Sequence, residues 1–386
     1  MGQDGFGQKL HALLPRIRER REEIEEARRL PKDLVADLIE TGVFKLGFPA
    51  ALGGDEASAT DLMRTFETIA RADGSTGWVT MIASGGSFFA GMLNEAGVKE
   101  VFADPALPSG GGFPPTQGTA TKVEGGYKVT GKWKYASGID HFDWVSSGCV
   151  VLYDGQPKMT PMGMPEVRWV FTPATEVEIF DSWFVNGLRG TGSNDYSITD
   201  VFVPDHRTFH PFDTSSHRPE PIVRMPGVAG FATQVASVGV GIARAALDEL
   251  VDLAGGKMPV LSPTSLAAKP ATQIELAQLE SQWSGARAFL YDSVDDIWET
   301  LLAGQEVSPR QNALARIAAV EAARVSAQVA QRVNTLAGGN SMHLSSPIQR
   351  HARDADAVTH HFVLAPAALE DAGRVLLGME PNSPIF

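Results

Sequence analysis

Near the C-terminal end of the chain, Arg350, Arg353 and Asp354 are followed by the adjacent pair His360 and His361 and then by Phe362. A histidine with its ordinary pKa of about 6.5 suits proton transfer near neutrality, so either imidazole is a candidate acid or base. Neighbours on a helix point about 100° apart, so only one of the two would face a site; His361 is the first choice and His360 the second. The segment follows a Gly338-Gly339-Asn340 break, where the end of a helical bundle would face a cavity. A second constellation lies mid-chain, Trp133-Lys134-Tyr135-Ala136-Ser137-Gly138, with Asp140 and His141 just beyond it. Arg189 and Arg353 are charged residues in apolar surroundings and call for carboxylate or phosphate partners. Asp205, His206 and His210 have ligand chemistry, yet they follow a strand-ending Pro204 that leaves their facing undetermined, so no metal site is expected.

The elements that must position these residues fall into three parts. The chain has 386 residues, 43% apolar, with a net charge of −13 and one cysteine, Cys149. That length suits two or three subdomains around a shared core. The acidic balance argues against a general nucleic-acid surface, and a single cysteine excludes an internal disulfide and a cysteine-based metal centre. No run near 18 apolar residues is evident, and residues 1–14 lack the apolar core of a signal peptide; no membrane partner and a cytoplasmic location are the expectation.

Residues 1–115 read as an all-helical domain: an Arg/Glu-dense helix over 14–29, a helix opened by Pro31 and ended by Gly42, and further apolar helices through Met92. Residues 116–215 read as a small β domain, with a hairpin turning at Gly125-Gly126 and short β-rich runs at 144–153, 167–171, 177–180 and 196–203. Residues 216–386 read as a four-helix bundle: an Ala/Gly-rich helix over 228–254, a clearly amphipathic one through Leu279, Trp283, Leu290, Val294 and Ile297, a third begun by Ser308-Pro309, and a fourth after Pro347.

That order, an α+β chain with helices, then a small β domain, then a four-helix bundle, resembles the acyl-CoA dehydrogenase fold. Specific residues support the likeness: Trp133 to Gly138 resembles the family's strand and turn against the flavin, Asn186-Gly187-Leu188-Arg189-Gly190-Thr191-Gly192-Ser193 followed by Val201-Phe202-Val203-Pro204 its second β signature, and Gly338-Gly339 with Arg350 to Asp354 its C-terminal pattern. The fold's dehydrogenases keep a glutamate eight residues after that aspartate, where this chain has Phe362; their other placement fails too, since no Asp or Glu lies between Arg224 and Asp248. With His361 one position before Phe362, the chain is similar instead to the two-component flavin-dependent monooxygenases of the same fold. The alternative is an acyl-CoA dehydrogenase with a displaced base.

The resemblance implies reduced FAD or FMN supplied by a separate NAD(P)H-dependent flavin reductase, dioxygen as co-substrate, a C4a-hydroperoxyflavin, and an aromatic substrate, indole-like or phenolic. The nearest activities it points to are the indole and indolosesquiterpene hydroxylases of xiamycin-type pathways. It implies catalytic roles for His361, Ser137 and, second to them, His360. It implies flavin contacts from Trp133, Tyr135, Ala136, Ser137, Gly138, Trp183, Arg189, Gly338 and Gly339, although Trp133 and Trp183 read equally as core aromatics and Gly338-Gly339 equally as a helix end. Asp140, His141, Phe113 and Phe362 would line the substrate pocket. Family habit favours a homotetramer, or failing that a homodimer.

Overall fold

The computed structural model describes residues 3–160, 163–211, 218–383 and 386. The Arg/Glu-dense stretch forms two helices rather than one, α1 (Gln3–Glu19) and α2 (Arg21–Ala27), because Arg20 leaves the helical conformation between them. Helix α3 (Lys32–Thr41) starts after Pro31 and stops at Gly42, whose φ of +83° places it in the left-handed region where glycine carries no steric cost. Ser58 caps α4 (Ala59–Ala72). The buried Asp73 caps α5 (Gly74–Ala83), accepting from both the N–H and the hydroxyl of Thr76 at 2.7 Å. A Cβ on Gly77 would stand 2.6 Å from the Ala70 Cα, so glycine there lets α5 fold straight back over α4 and aims Trp78 inward. The apolar run expected to continue to Met92 breaks at Ser84 and Gly85 before α6 (Gly86–Met92); α7 (Glu95–Val101) follows.

One mixed sheet occupies the middle of the chain. Its strands are β1 (Gly110–Gly112), β2 (Gly118–Val123), β3 (Gly126–Ala136), β4 (Trp144–Tyr153), β5 (Gln156–Pro157), β6 (Val167–Pro173), β7 (Glu178–Phe180), β8 (Asn194–Pro204) and β9 (Thr208–Phe209). The order is β7-β8-β3-β2-β4-β6-β9, with β1 and β5 also on β4. The β2–β3 hairpin pairs Val123 with Gly126, so the turn is Glu124-Gly125, of which only Gly125 has a positive φ (+74°), and Gly126 already belongs to the strand. Strand β1 runs parallel to β4, so the sheet begins at Gly110, ahead of the expected boundary at 116.

The C-terminal part contains α8 (Pro221–Arg224), α9 (Gly227–Gly256), α10 (Pro270–Leu302), α11 (Pro309–Ala337), α12 (Pro347–Thr359) and α13 (Ala367–Leu376). Ser308 and Gln311 close a reciprocal capping box at the start of α11. The fourth helix, α12, has 13 residues and is short beside α9 to α11, which have 30, 33 and 29. Helix α9 lies between α4 and α11; its Gly241 sits so close to α4 that a Cβ would meet the Glu67 carbonyl oxygen at 2.2 Å. Contrary to the sequence expectation, α9 is long and apolar enough to cross a membrane, with mean hydropathy 1.2 over its best window, but 78% of that window is buried inside the protein. It is the core helix of the bundle.

The three parts meet at one polar junction. Glu25 of α2 receives Arg353 at 2.5 Å and Arg350 beside it, both from α12, and lies 3.8 Å from Arg189 of the β domain. Asp354, fully buried, accepts the backbone N–H of Leu188 at 2.6 Å. Burial works against the charge on Glu25, yet the two arginines outweigh it and hold its pKa below the usual range. Thus Arg350, Arg353 and Asp354 act as a clasp that sets where α12, and so the segment after it, ends.

Candidate active site

Helix α12 stops at Thr359, so neither histidine lies within a helix. His360 is the C-cap; its side chain is 76% exposed and faces Asp356 at 3.5 Å. That excludes the second-choice histidine from an enclosed site. His361 opens a one-turn 3-10 helix, Phe362–Leu364, and the change of direction swings its ring inward. There the imidazole meets Trp78 of α5 edge-on at 5.6 Å between centroids, Phe231 of α9 at 5.3 Å and Phe362 at 4.9 Å. Phe362 stacks on Phe113 at 4.6 Å, and Phe113 leans on Trp169 of β6 at 5.1 Å. Trp78, Phe231 and Phe362 therefore pack on His361 itself as an aromatic cage, and Phe113 and Trp169 continue the aromatic row outward from Phe362.

Burial alone lowers the His361 pKa to about 4, so the ring is neutral at pH 7. Its Nδ1 takes a long 3.4 Å hydrogen bond from Val363 N–H, which in the neutral ring places the proton on Nε2. In that tautomer Nε2 is a donor, and the ring accepts a proton there only in the tautomer that gives up the weak Val363 contact.

Behind the cage, Trp78 donates its indole N–H to Ser137 Oγ at 3.0 Å. Ser137 Oγ stands 2.7 Å from Ser193 Oγ, which stands 2.7 Å from Thr191 Oγ1. Thr191 donates to the Leu188 carbonyl at 2.9 Å. Ser137 is placed by the end of β3, where Tyr135 adopts φ +64° and Gly138 φ +77°; a Cβ on Gly138 would press on Val79 at 2.9 Å, so glycine allows the strand end to approach α5.

The remaining expected contacts divide. Tyr135 is 67% exposed and meets Trp183 edge to face at 6.2 Å, and Trp183 is pinned by its N–H to Leu188 O at 3.0 Å. Trp133 is a correction: it is fully buried, donates to Gly148 O at 2.8 Å and stacks on Tyr196, so it is a core residue of the sheet and cannot form a ligand wall. Ala136 is likewise fully buried and offers only backbone. Arg189 faces Glu25, with its Nε buried and without a hydrogen-bond partner. Gly338 and Gly339 are exposed at the end of α11; Gly338 has φ +57°, and Lys257 Nζ stands 3.5 Å from where its Cβ would be.

Asp140 and His141 are also corrected. Asp140 lies 3.7 Å from Arg29, and His141, its pKa lowered mainly by burial, is influenced by Asp140, Arg29 and Lys32. The short turn after Gly138 points both at the α2–α3 corner rather than among the rings around His361. Of the pocket residues expected from sequence, Phe362 meets His361 directly, and Phe113 is joined to it only through Phe362. Among the described residues no group of three or more His, Cys, Asp or Glu could hold a metal ion; His206 pairs with Glu100 at 2.6 Å and Asp205 with Lys122 at 2.6 Å.

Sequence reasoning missed Trp78, Phe231, Trp169, Thr191 and Ser193. Trp78 follows the Asp73 cap by five residues, a visible signal read only as a helix break. Thr191 and Ser193 lay inside the quoted Arg189-Gly190-Thr191-Gly192-Ser193 motif without a role. Phe231 and Trp169 carry no local signal, because only tertiary packing brings Phe231 to His361 and Trp169 to Phe113.

Residues 13–102 match the family model for the acyl-CoA dehydrogenase N-terminal domain and residues 233–366 that for its C-terminal domain. The chain is 34% identical over 383 residues to the indole-3-acetate monooxygenase of Pseudomonas putida, covering 97% of this chain and 95% of that one. It is 32% identical to the oxygenase component of the FADH2-dependent resorcinol hydroxylase of Rhizobium sp. strain MTP-10005, covering 93% and 90%. The crystal structure of the HsaA monooxygenase from Mycobacterium tuberculosis superposes with a TM-score of 0.91 at 30% identity, covering 99% of each chain.

Proposed function

We propose that this chain, which belongs to the flavin-dependent monooxygenases of the acyl-CoA dehydrogenase fold, is an oxygenase component that hydroxylates a planar aromatic substrate, indole-like or phenolic. One observation carries the reading: His361 stands neutral among Trp78, Phe231 and Phe362, with an aromatic ring at the position where the fold's dehydrogenases keep a carboxylate. Removal of a proton α to a thioester needs such a base. A flat ring needs stacking walls and one hydrogen-bonding group to orient its hydroxyl or N–H.

The residues fit a flavin. Tyr135 and Trp183 leave aromatic faces for a planar ring system, Ser137 lies at the turn beside them, and the partnerless Arg189 Nε suits a phosphate. When bound, reduced FAD or FMN supplies the electrons that activate dioxygen. The chain's own residues wall the site, exclude water and hold the substrate proton at His361. An oxygenase component takes its reduced flavin from a separate NAD(P)H-dependent reductase, which is the implied partner.

A homotetramer is part of the proposal. Supporting it, Gly338 lies beside the Lys257 ammonium and Gly339 in open space, with Met342 and Leu344 soon after them 84% and 73% exposed; this end of α11 suits the anionic part of a flavin held by a neighbouring copy. Light scattering of the purified protein measures that state directly.

The functional test mixes the protein with a generic flavin reductase, NADH, FAD or FMN, oxygen and a panel of indoles and phenols. The expected result is a product one oxygen atom heavier than its substrate, formed only with both proteins present. Hydrogen peroxide as the sole oxygen product across the panel, or bleaching of a tightly bound oxidised flavin by an acyl-CoA, would overturn the reading.

A further inference from the structure

The hydroxyl chain behind the cage has a proton order that can be deduced by counting. Two oxygens 2.7–2.9 Å apart repel unless a proton lies between them. There are three such contacts, Thr191 Oγ1 to Leu188 O at 2.9 Å, Thr191 to Ser193 at 2.7 Å and Ser193 to Ser137 at 2.7 Å, and the three hydroxyls bring three protons. The carbonyl brings none, so Thr191 must donate to Leu188. Ser193 must then donate to Thr191, and Ser137 to Ser193. All three residues are at most 5% exposed, so solvent does not enter to relax the order. Ser137 Oγ also accepts the Trp78 indole N–H at 3.0 Å. Its only remaining capacity is one lone pair, so toward any ligand Ser137 is an acceptor and not a donor.

We infer that Thr191 and Ser193 are positioning residues that lock Ser137 as an acceptor and thereby make the site select reduced over oxidised flavin. The inference rests on the flavin reading above. Reduced flavin carries a hydrogen on N5 and is a donor there; oxidised flavin presents a bare N5 lone pair and needs a donor. An acceptor-only serine forms a bond with the first and sets two lone pairs against each other in the second. The protein thus discriminates the redox state its chemistry requires through two side chains that need not touch the flavin.

The test measures the ratio of dissociation constants for oxidised and reduced FAD, and likewise FMN, by anaerobic and aerobic titration, a binding readout independent of turnover. Thr191→Val removes the acceptor for Ser193, which then turns its proton to Ser137 and frees the Ser137 proton for a bare N5. The ratio should fall about ten-fold, the worth of one hydrogen bond made or mismatched. Thr191→Ser, which keeps the hydroxyl, should retain the wild-type ratio. Ser193→Ala, which frees Ser137 by a different route, should also lower the ratio and serves if the valine variant does not fold. Wild-type protein that prefers reduced flavin while Thr191→Val and Ser193→Ala keep the ratio within two-fold would overturn this inference alone. Wild-type protein that binds neither redox form would overturn the flavin reading and this inference with it.

Discussion

Trp78 donates its indole N–H to Ser137 Oγ across 3.0 Å while the same ring packs edge-on against His361 at 5.6 Å. One side chain of the N-terminal helices therefore ties the β domain's turn to the segment beyond α12. Trp78→Phe keeps an aromatic wall but removes the donor together with part of the buried ring volume. It should cost more than the roughly 1 kcal/mol of one internal hydrogen bond, and lower kcat/KM less than Trp78→Ala does. Chemical denaturation and steady-state kinetics of the two variants check both outcomes.

Replacing His361 by Asn preserves some polarity but no base. Product formation should drop by about 10²–10⁴, the usual contribution of a general acid or base, with oxygen consumption diverted to hydrogen peroxide. The pH profile carries the second check. A pKa lowered to about 4 keeps the imidazole neutral across the range where an ordinary histidine would titrate. The acid limb of kcat/KM due to His361 should therefore fall below pH 5, and a limb centred near 6.5 that vanishes in His361→Asn would contradict the burial argument.

Glu25 is the shared partner of Arg350 and Arg353, whose side chains are only 6% and 17% exposed. Glu25→Ala leaves two buried cations facing each other and should destabilise the protein by about 3 kcal/mol. Because its pKa is depressed, the wild-type carboxylate stabilises the fold above its ordinary value and loses that effect as pH falls through the folded one. The gap in urea midpoint between wild type and variant should accordingly narrow at low pH.

Asp354 has the opposite sign. Burial raises its pKa to about 7, against the Leu188 N–H that favours the anion. A raised carboxyl pKa means that the folded state holds a proton the unfolded state has released, so stability from this group is complete below about pH 4 and is lost as pH rises to 7. Asp354→Asn keeps an oxygen for Leu188 N–H and cannot ionise. Its melting temperature should depend less on pH between 5 and 8 than the wild type's does; parallel curves would show that Asp354 is ionised throughout.

Much of this fold was legible in local signals. Pro31, Gly42, Ser308-Pro309 and the hairpin glycine act through the backbone of their immediate neighbours, so their effects do not depend on the rest of the molecule. The expected strands at 144–153 and 196–203 fall within β4 and β8 for the same reason: alternation and turn residues are local properties. Where the reading went astray, a longer-range term decided. Trp133 and Tyr135 sit two residues apart on one strand, yet Trp133 is sealed under Tyr196 and Tyr135 stands in the open after a left-handed kink. Composition cannot separate them.

By itself the sequence determined the three-part order, the aromatic Phe362 where a carboxylate base would be needed, and the presence of His361 beside it. It could do so because helix starts, turns and missing charges are properties of short stretches. Only the tertiary structure decided that His360 points outward and His361 inward, that Asp140 and His141 belong to a different corner, and that Ser137, Ser193 and Thr191 join in one hydroxyl chain. Each of those depends on where a neighbouring element places its atoms, to within the length of a hydrogen bond, and no spacing along the chain carries that distance.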